Sequence, residues 1–576
     1  MHFNLVDEPW LMVLTADGKS KLVSLIELFE HAHEYQALAG DCEEQDVAVM
    51  RFLLGLLHRV FSRVDEQNVP RVMTDSEEVL SFWNRLYRMG EFPVTPIFSY
   101  LDKWHDRFDL YDEEHPFYQV PLSFFTEPWN GQEPPAGKLL SVTKLDGSIA
   151  KSNNVNKIKV CATREFGDEL RLTHPEAARW LIYHQLFDVA ASKGYWKPSA
   201  VVVAERAGTG VDTKFFPGYG TTLGLMYVQG TSLWETLMLN FVLLRDGFYV
   251  WDYSESSHTI QELSSVPPWE WGSERELTPN TENLLCITPT NPVAVLCQQN
   301  RRVHLIPDGN CVRNFYSTYG DYVVSSNTLS EQMTLWTDVK DNKTKVLKKV
   351  PFRMRTSRFW EFFPNVTTWK QAGVVGWLQC LRNRDFIPKD RVLLYSGFCF
   401  ELGTMSAVVS GVMAGQMSFI TEFQQESSKE SCDMISVELS KIGLIAKEFG
   451  QFARNLLFCK ADVRGGKTES SYVKGARASI QELYYAEVTD LVVEWLRNLS
   501  VEDVDVMPEV CKTFRKKLHG HALSFGYRWM EDMGDSVMLS RTVDGKLYSG
   551  LKCYSEFQNK ISTVLWKEKK KRKESR

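Results

Sequence analysis

Apolar positions recur along this chain with two different periods, and the places where the period changes divide it into regions. Val23-Ser24-Leu25-Ile26-Glu27-Leu28-Phe29 and the run from Val47 to Leu57 are too long and too helically spaced for strands, so the first hundred residues are predicted to be built on core helices. Thr173-His174-Pro175-Glu176 combines a hydroxyl cap, an early proline and a glutamate three residues on. It predicts a buried helix running through the apolar stretch Ala177 to Phe187. From about Leu284 to Val324 the texture changes to short β-branched runs (Val293-Ala294-Val295-Leu296, Val303-His304-Leu305-Ile306, Tyr322-Val323-Val324) separated by Pro, Asn and Gly. With the turn signal Pro307-Asp308-Gly309-Asn310, this region is expected to form a β-meander. Residues 337–358 follow as a basic, loop-like stretch, and a helix is expected to restart at Trp360 to Phe363.

Around Gln416 to Glu430 the chain turns polar, and a domain boundary is expected there. Beyond it the pattern is helical. Ile435, Leu439, Ile442, Ala446, Phe449, Ala453 and Leu456 step by three and four along one face. So do Ile480, Tyr484, Val488, Leu491 and Trp495; then Val510, Phe514, Leu518, Ala522 and Phe525; then Leu551, Tyr554, Phe557, Ile561 and Leu565. The expected fold class is therefore α+β: a large mixed N-terminal domain with a β-meander over residues 1–420, and a C-terminal four-helix bundle over residues 431–576.

At 576 residues the chain exceeds the size at which one core usually keeps growing, which agrees with two or more domains. A hydrophobic fraction of 44% and 17 Trp mark an ordered protein. The formal net charge of −7 excludes a uniformly basic surface, so any contact with nucleic acid has to be local. Eleven cysteines, odd in number and never in a Cys-x-x-Cys pair, indicate neither a disulfide framework nor a zinc ribbon. The start lacks a basic region followed by an apolar stretch, and no run of roughly 18 apolar residues occurs, so a cytoplasmic protein without a membrane span is expected.

Candidate enzyme chemistry is sparse. Arg464-Gly465-Gly466-Lys467-Thr468 resembles the end of a phosphate-binding loop, but Ala461 stands where the first glycine is needed and the preceding pattern is helical, so an interhelical loop is expected. His105-Asp106 lacks partner histidines, and His31/His33 and His519/His521 would point about 200° apart on a helix, a poor metal site. Three segments suit nucleic acid better. Between Lys340 and Arg358 there are eight basic residues against the single acid Asp341, and Lys343, Lys345, Lys348 and Lys349 are the candidates for phosphate contacts. Lys144 to Lys159 mixes Lys with Asn and Ser, side chains that reach phosphates or base edges. Phe216-Pro217-Gly218-Tyr219-Gly220-Thr221-Thr222 is a turn whose backbone can be approached closely where two positions lack Cβ. Each also reads as an ordinary exposed loop or tight turn.

Taken in order, several segments resemble the CasA family, the large subunit of type I-E CRISPR Cascade complexes. They are Phe3-Asn4-Leu5-Val6-Asp7-Glu8-Pro9-Trp10-Leu11, Leu22 to Leu25, Asp109 to Gln119 with its His-Pro-Phe turn, and Leu172 to Asp188. Gly230 to Leu237, Pro268-Trp269-Glu270, Arg301-Arg302-Val303 and the four terminal helices continue the series. The resemblance implies a protein without catalytic activity or cofactor that recognises a short protospacer-adjacent motif (PAM) in double-stranded DNA, promotes duplex opening and R-loop formation, and recruits a helicase-nuclease. The implied partners are the other Cascade subunits, the crRNA, double-stranded target DNA and that helicase-nuclease, with no membrane. On this likeness the PAM-binding loop falls on Gly218, Tyr219, Gly220 and Thr221, and a strand-parting wedge on Leu402, Gly403 and Thr404. A loop near the guide and PAM falls on Lys151, Asn153, Asn154, Asn156, Lys157 and Lys159. The amide side chains usual at the wedge, a lysine near Ser325 to Asn327 and the cysteine pairs of zinc-bearing members are absent here. Two readings from other classes stay open: a cytosolic hydrolase with catalytic residues dispersed in sequence, and a structural scaffold.

Overall fold

A computed structural model describes residues 1–71, 73, 75–128, 138–148, 170–188, 218–245, 248–249, 266–272, 286–287, 292–320, 322–323, 331–340, 347–351, 358–363, 373–388, 390–402, 409–420, 423, 428–460, 470–499 and 504–566. The chain divides into two compact units, residues 1–357 with 370–416, and residues 358–369 with 417–576.

The first unit begins with strands β1 (Leu11–Thr15) and β2 (Ser20–Val23), helix α1 (Leu25–His31), strand β3 (Tyr35–Leu38) and helices α2 (Glu43–Phe61), α3 (Ser76–Met89), α4 (Val94–Lys103) and α5 (Ser123–Thr126). β1 lies between β2 and β3 in one antiparallel sheet. The helix expected from Val23 is split here. Val23 ends β2, and Ser24 caps α1 by accepting from the Glu27 amide, which stops the strand and starts the helix within one residue. α2 contains the whole predicted run Val47 to Leu57 and is buried on nearly every face. Its Phe52 ring meets Trp10, Phe117, Tyr118 and Trp269, which makes it a centre of the core. Its Arg51 forms a bidentate pair with Glu331 at 2.7 and 2.9 Å, with neither side chain exposed. Such a pair holds two distant chain segments in one register, because breaking it leaves a buried charge.

Next come β4 (Lys138–Ser141), β5 (Leu172–Thr173), α6 (His174–Phe187), β6 (Gly224–Gln229), α7 (Leu233–Asn240), β7 (Leu244–Arg245), β8 (Phe248–Tyr249), β9 (Cys286–Ile287) and α8 (Pro292–Leu296). β10 (Arg301–Asp308), β11 (Cys311–Tyr319), β12 (Tyr322–Val323), β13 (Trp336–Lys340), β14 (Leu347–Pro351), α9 (Gly373–Asn383), β15 (Val392–Leu402) and β16 (Val409–Ile420) follow. The capping box at Thr173 is formed in both directions, the Glu176 amide donating to the Thr173 hydroxyl and the Glu176 carboxylate accepting from the Thr173 amide.

The expected meander over Leu284 to Val324 is only partly present. β10 and β11 form the hairpin around Gly309, whose φ of +59° suits glycine, but β11 goes on to pair with the distant β4 and β5. β9 and β12 pair in parallel, and Val293 to Leu296 is helical. Pro292 opens that helix with its preset φ, and an apolar run of four residues cannot by itself distinguish strand from helix. The stretch expected to be loop-like contains the antiparallel hairpin β13/β14, with Asp338 opposite Lys349 and Val339 opposite Lys348. Trp360 belongs to a single 3-10 turn, Phe359–Phe362, rather than to an α-helix.

In the second unit, α10 (Lys429–Leu457), α11 (Ser471–Arg497), α12 (Met507–Asp532) and α13 (Gly550–Trp566) pack on one another, with the hairpin β17 (Arg541–Val543) and β18 (Lys546–Tyr548) before the last helix. Phe449 of α10 meets Tyr484 of α11 at 4.5 Å, Phe525 of α12 at 5.3 Å and Phe557 of α13 at 4.7 Å between ring centroids, so one aromatic from each helix shares a single core site. The predicted face of α10 is buried throughout. On α11 the buried stripe ends through Val492 and Leu496 rather than Leu491 and Trp495, on α12 Cys511 replaces Val510, and on α13 Cys553 is buried while Leu551 is 70% exposed. In each case the stripe keeps its spacing but shifts by one residue near an end, where the neighbouring helix decides which side is covered.

Candidate nucleic-acid interface

Helix α6 organises the segments that the sequence singled out. Its capped start follows directly on β5, where the described chain resumes after the lysine- and asparagine-rich segment. The described residues just before that segment also pack on α6. Gly147 lies so close to the Tyr183 ring that a Cβ would sit 2.1 Å from Tyr183 Cε1, and the Ser148 amide and hydroxyl both donate to Asp146 Oδ1. Burial pushes the Tyr183 hydroxyl well above its ordinary pKa, so it stays neutral against the glycine. The described residues on both sides of that segment thus meet one helix. Lys151, Asn153, Asn154, Asn156, Lys157 and Lys159 themselves lie outside the described residues.

The far end of α6 carries the second segment. After Phe187 the chain reaches Asp188, whose carboxylate accepts from Arg301 Nε at 2.6 Å and lies 3.4 Å from His184 Nδ1, all three side chains being buried. β10 reinforces the clamp. The Arg301 amide donates to Gln185 Oε1 at 2.8 Å and Asn300 Nδ2 to the Gln185 carbonyl at 2.9 Å. Gly218, where the described chain resumes, donates its amide to the Asp188 carbonyl at 2.7 Å. Residues 189–217 therefore leave and return at one pinned point.

From Gly218 the chain makes a tight turn, with Thr221 N donating to Gly218 O and Leu223 N to Gly220 O, and enters β6. The two glycines are needed by this packing. A Cβ on Gly218 would lie 2.3 Å from the Leu186 carbonyl oxygen, and one on Gly220 would lie 2.5 Å from Phe187 Cε1. Tyr219 and Thr221 are buried in the same place, Thr221 completely. The absence of Cβ is thus explained by the approach of the turn to α6.

Strand β15 runs antiparallel to β6 with Cys399 opposite Gly224, so its last residues reach back alongside the turn. Phe187 packs edge-on against Phe398 and Phe400 at 5.9 and 5.1 Å, the two strand rings touching each other as well, which locks the end of β15 to the end of α6. Leu402 is the last residue of β15, and Gly403 and Thr404 lie outside the described residues. The turn Gly218 to Thr221 and the strand leading to the wedge segment, some 180 positions apart in sequence, are neighbours in space. That adjacency was not visible in the sequence, because it depends on the β6/β15 register.

The basic stretch is joined to the same sheet. The Met226 amide donates to Met333 O at 3.0 Å, and Leu225 bridges to Thr334 just before β13. Lys348 and Lys349 occupy neighbouring positions of β14, which in a strand belong to opposite faces, while Lys343 and Lys345 lie outside the described residues. The phosphate-loop-like segment 464–468 also lies outside them, between α10 and α11. His105 is hydrogen-bonded through Nε2 to Asp7 at 2.7 Å, and His519 through Nε2 to Ser562 at 3.1 Å. Among the described residues no group of three or more His, Cys, Asp and Glu is placed to hold a metal ion, and no helix is long and apolar enough to cross a membrane. The residues that sequence reasoning missed are His184, Asp188 and Arg301. The available signal was ionisable residues set into or against otherwise apolar elements, the position where charge needs a partner.

Comparison with known proteins gives a consistent set of matches. The family described as CRISPR-associated protein Cse1 matches residues 4–525. A CRISPR-associated protein CasA/Cse1 of Thermus thermophilus is 31% identical over 240 residues, which is 42% of this chain and only 39% of the relative's length. The crystal structure of Thermobifida fusca Cse1 superposes with a TM-score of 0.72 at 21% identity, covering 98% of both chains. A chain of a structure described as a CRISPR RNA-guided surveillance complex superposes with a TM-score of 0.62 at 13% identity, covering 98% of this chain and all of that one.

Proposed function

Because the chain belongs to the CRISPR-associated Cse1 family, also called CasA, we propose that it is the large subunit of a type I-E Cascade surveillance complex and acts there by recognition rather than catalysis. Its partners in this reading are the other Cascade subunits, the crRNA, double-stranded target DNA and a helicase-nuclease. The family match over residues 4–525 carries the proposal, and the likeness in fold to a chain of an RNA-guided surveillance complex supports it.

Within that role we assign PAM reading to the turn Gly218 to Thr221, strand parting to Leu402, Gly403 and Thr404, and contact near the guide to the segment containing Lys151 to Lys159. The supporting observation is that the turn and the described residues flanking the other two segments, Gly147 and the end of β15, lie against α6 and the β6/β15 pair. Base pairing with the guide then supplies the sequence test, while the protein checks a short duplex element, the division of labour known for another RNA-guided effector. Minor-groove reading would be permissive, since the groove distinguishes A·T from G·C pairs and little more. Parting base pairs costs a few kcal/mol of unstacking, which phosphate contacts offset.

The test is a gel shift with the complex assembled with and without this chain, on targets that differ only at the PAM. Discrimination between correct and wrong PAM should vanish when the chain is omitted. Full discrimination without it would sink the proposal.

A further inference from the structure

A cavity of about 310 Å³ opens in the first unit between the start of α2, β3 and the β6/α7 corner, away from the turn and wedge. Its walls combine apolar side chains with two carboxyls. Val47, Met50 and Leu233 are buried and supply the apolar part. The charged residues that line it are Glu43 and Asp46, three positions apart on α2 and so on one face, and no Lys, Arg or His among the described residues lines it. A volume of 310 Å³ is at the lower end of ligand pockets, enough for one small molecule or one long side chain and not for a nucleotide-sized ligand with its phosphates.

Each carboxyl is held in place by a hydrogen bond. Tyr227 donates its hydroxyl to Glu43 Oε1 at 3.1 Å, and the Gly40 amide donates to Asp46 Oδ1 at 2.7 Å, so the described hydrogen bonds engage one oxygen of each. Asp46 faces Arg179, Asp41 and Glu43, and Glu43 faces Tyr227 and Glu44. Arg179 is already committed to the Trp10 carbonyl and to Gln45. Burial raises the Glu43 carboxyl above its ordinary range and the Asp46 carboxyl to about 7. The dipole of α2 favours acids in its first turn, but it does not account for a cavity with apolar walls in front of them.

We propose that this cavity binds a guanidinium or ammonium group carried on an unbranched apolar stem, the cation meeting Glu43 and Asp46 and the stem lying on Val47, Met50 and Leu233. A cation of this kind supplies the donors that two half-buried carboxylates require, and its methylenes match the apolar wall. The group can come from a free small amine or from an Arg or Lys side chain of a partner protein.

The full-length chain is titrated calorimetrically with agmatine at pH 8 and pH 6, with 1-butylurea as the uncharged control. Saturable one-site binding of agmatine is expected at pH 8, with weaker binding at pH 6, where Asp46 takes up a proton and ceases to attract a cation. Butylurea should not bind, and Glu43→Gln, which keeps an acceptor for Tyr227, should weaken agmatine about tenfold or more. If Glu43→Gln does not fold, Asp46→Asn serves the same purpose, since its amide oxygen still accepts from Gly40. The proposal is overturned if agmatine does not bind saturably, if butylurea binds equally well, or if the folded variant binds agmatine as the wild type does. Assembly of the chain with its partner subunits in saturating agmatine then identifies the source. Displacement of the chain points to a partner's side chain, and undisturbed assembly to a free small cation.

Discussion

The guanidinium of Arg301 and the carboxylate of Asp188 meet at 2.6 Å with both side chains out of water, one residue past the end of α6 and at the first residue of β10. The pair fixes the point from which residues 189–217 depart and to which Gly218 returns. Arg301→Leu should therefore remove the guanidinium partner of the buried Asp188 carboxylate and destabilise the protein by about 3–5 kcal/mol. Urea unfolding followed by tryptophan fluorescence measures this. A variant with wild-type stability would show that the pair does not hold the junction. Adding Asp188→Asn to it should recover part of the loss, since the buried carboxylate is then gone.

The two glycines of the turn should differ in their sensitivity. A Cβ on Gly218 meets a backbone carbonyl, which cannot swing away, whereas one on Gly220 meets the Phe187 ring and Leu186 side chain, which can shift slightly. Overpacking of this kind typically costs about 1–3 kcal/mol, so Gly220→Ala should fall in that range and Gly218→Ala at or above its upper end. Thermal unfolding of the isolated chain separates this from any effect on DNA. PAM discrimination is then read at a protein concentration where both variants are folded and assembled.

Replacing Lys343, Lys345, Lys348 and Lys349 by Glu should weaken target binding most at low salt, because neutralising phosphates releases counterions. For every phosphate that is no longer neutralised, the slope of log affinity against log salt should fall by about 0.9 in magnitude. Because positions 348 and 349 lie on opposite faces of a strand, the single variants Lys348→Glu and Lys349→Glu should act unequally. An unchanged salt slope in the quadruple variant would assign the stretch to solvent.

His58 gives a pH signature. It is fully buried in α2 with Nε2 3.2 Å from Gln332 Oε1, and burial lowers its pKa to about 3. The unfolded chain binds this proton below about pH 6.5 and the folded chain does not, so the His58 contribution to stability is full above that pH and falls as the pH drops toward 3. The loss should reach about 2–3 kcal/mol at pH 4.5. Asp46, whose pKa is raised to about 7, has the opposite slope over part of this range, so the wild-type curve alone does not isolate either group. Stability of His58→Gln measured between pH 7 and 4.5 should decline less than that of wild type by about 2–3 kcal/mol. Parallel curves would show that His58 titrates normally.

Much of the local structure was written in the order of residues, because it depends on interactions within a few positions. Thr173 and Glu176 cap α6 whatever lies around it, Gly309 makes the β10/β11 turn through its own φ, and the stripe on α10 needs only a period of 3.6 to be recognised. The likeness to the Cse1 family was legible for the same reason, as colinear short segments. Where an outcome rested on partners distant in sequence, local pattern gave the wrong element or none. Val293 to Leu296 reads equally as strand or helix, the basic stretch reads as loop until β13 finds β14, and the burial of Leu551 depends on where the neighbouring helices lie. Tertiary structure alone decided that Asp188 would meet Arg301, that the end of β15 would lie beside Gly218 to Thr221, and that Glu43 and Asp46 would open into a cavity rather than into solvent. The physical reason is that desolvation and close packing are properties of three-dimensional neighbourhoods. The sequence shows which residues need a partner, and only the fold shows which partner each one has.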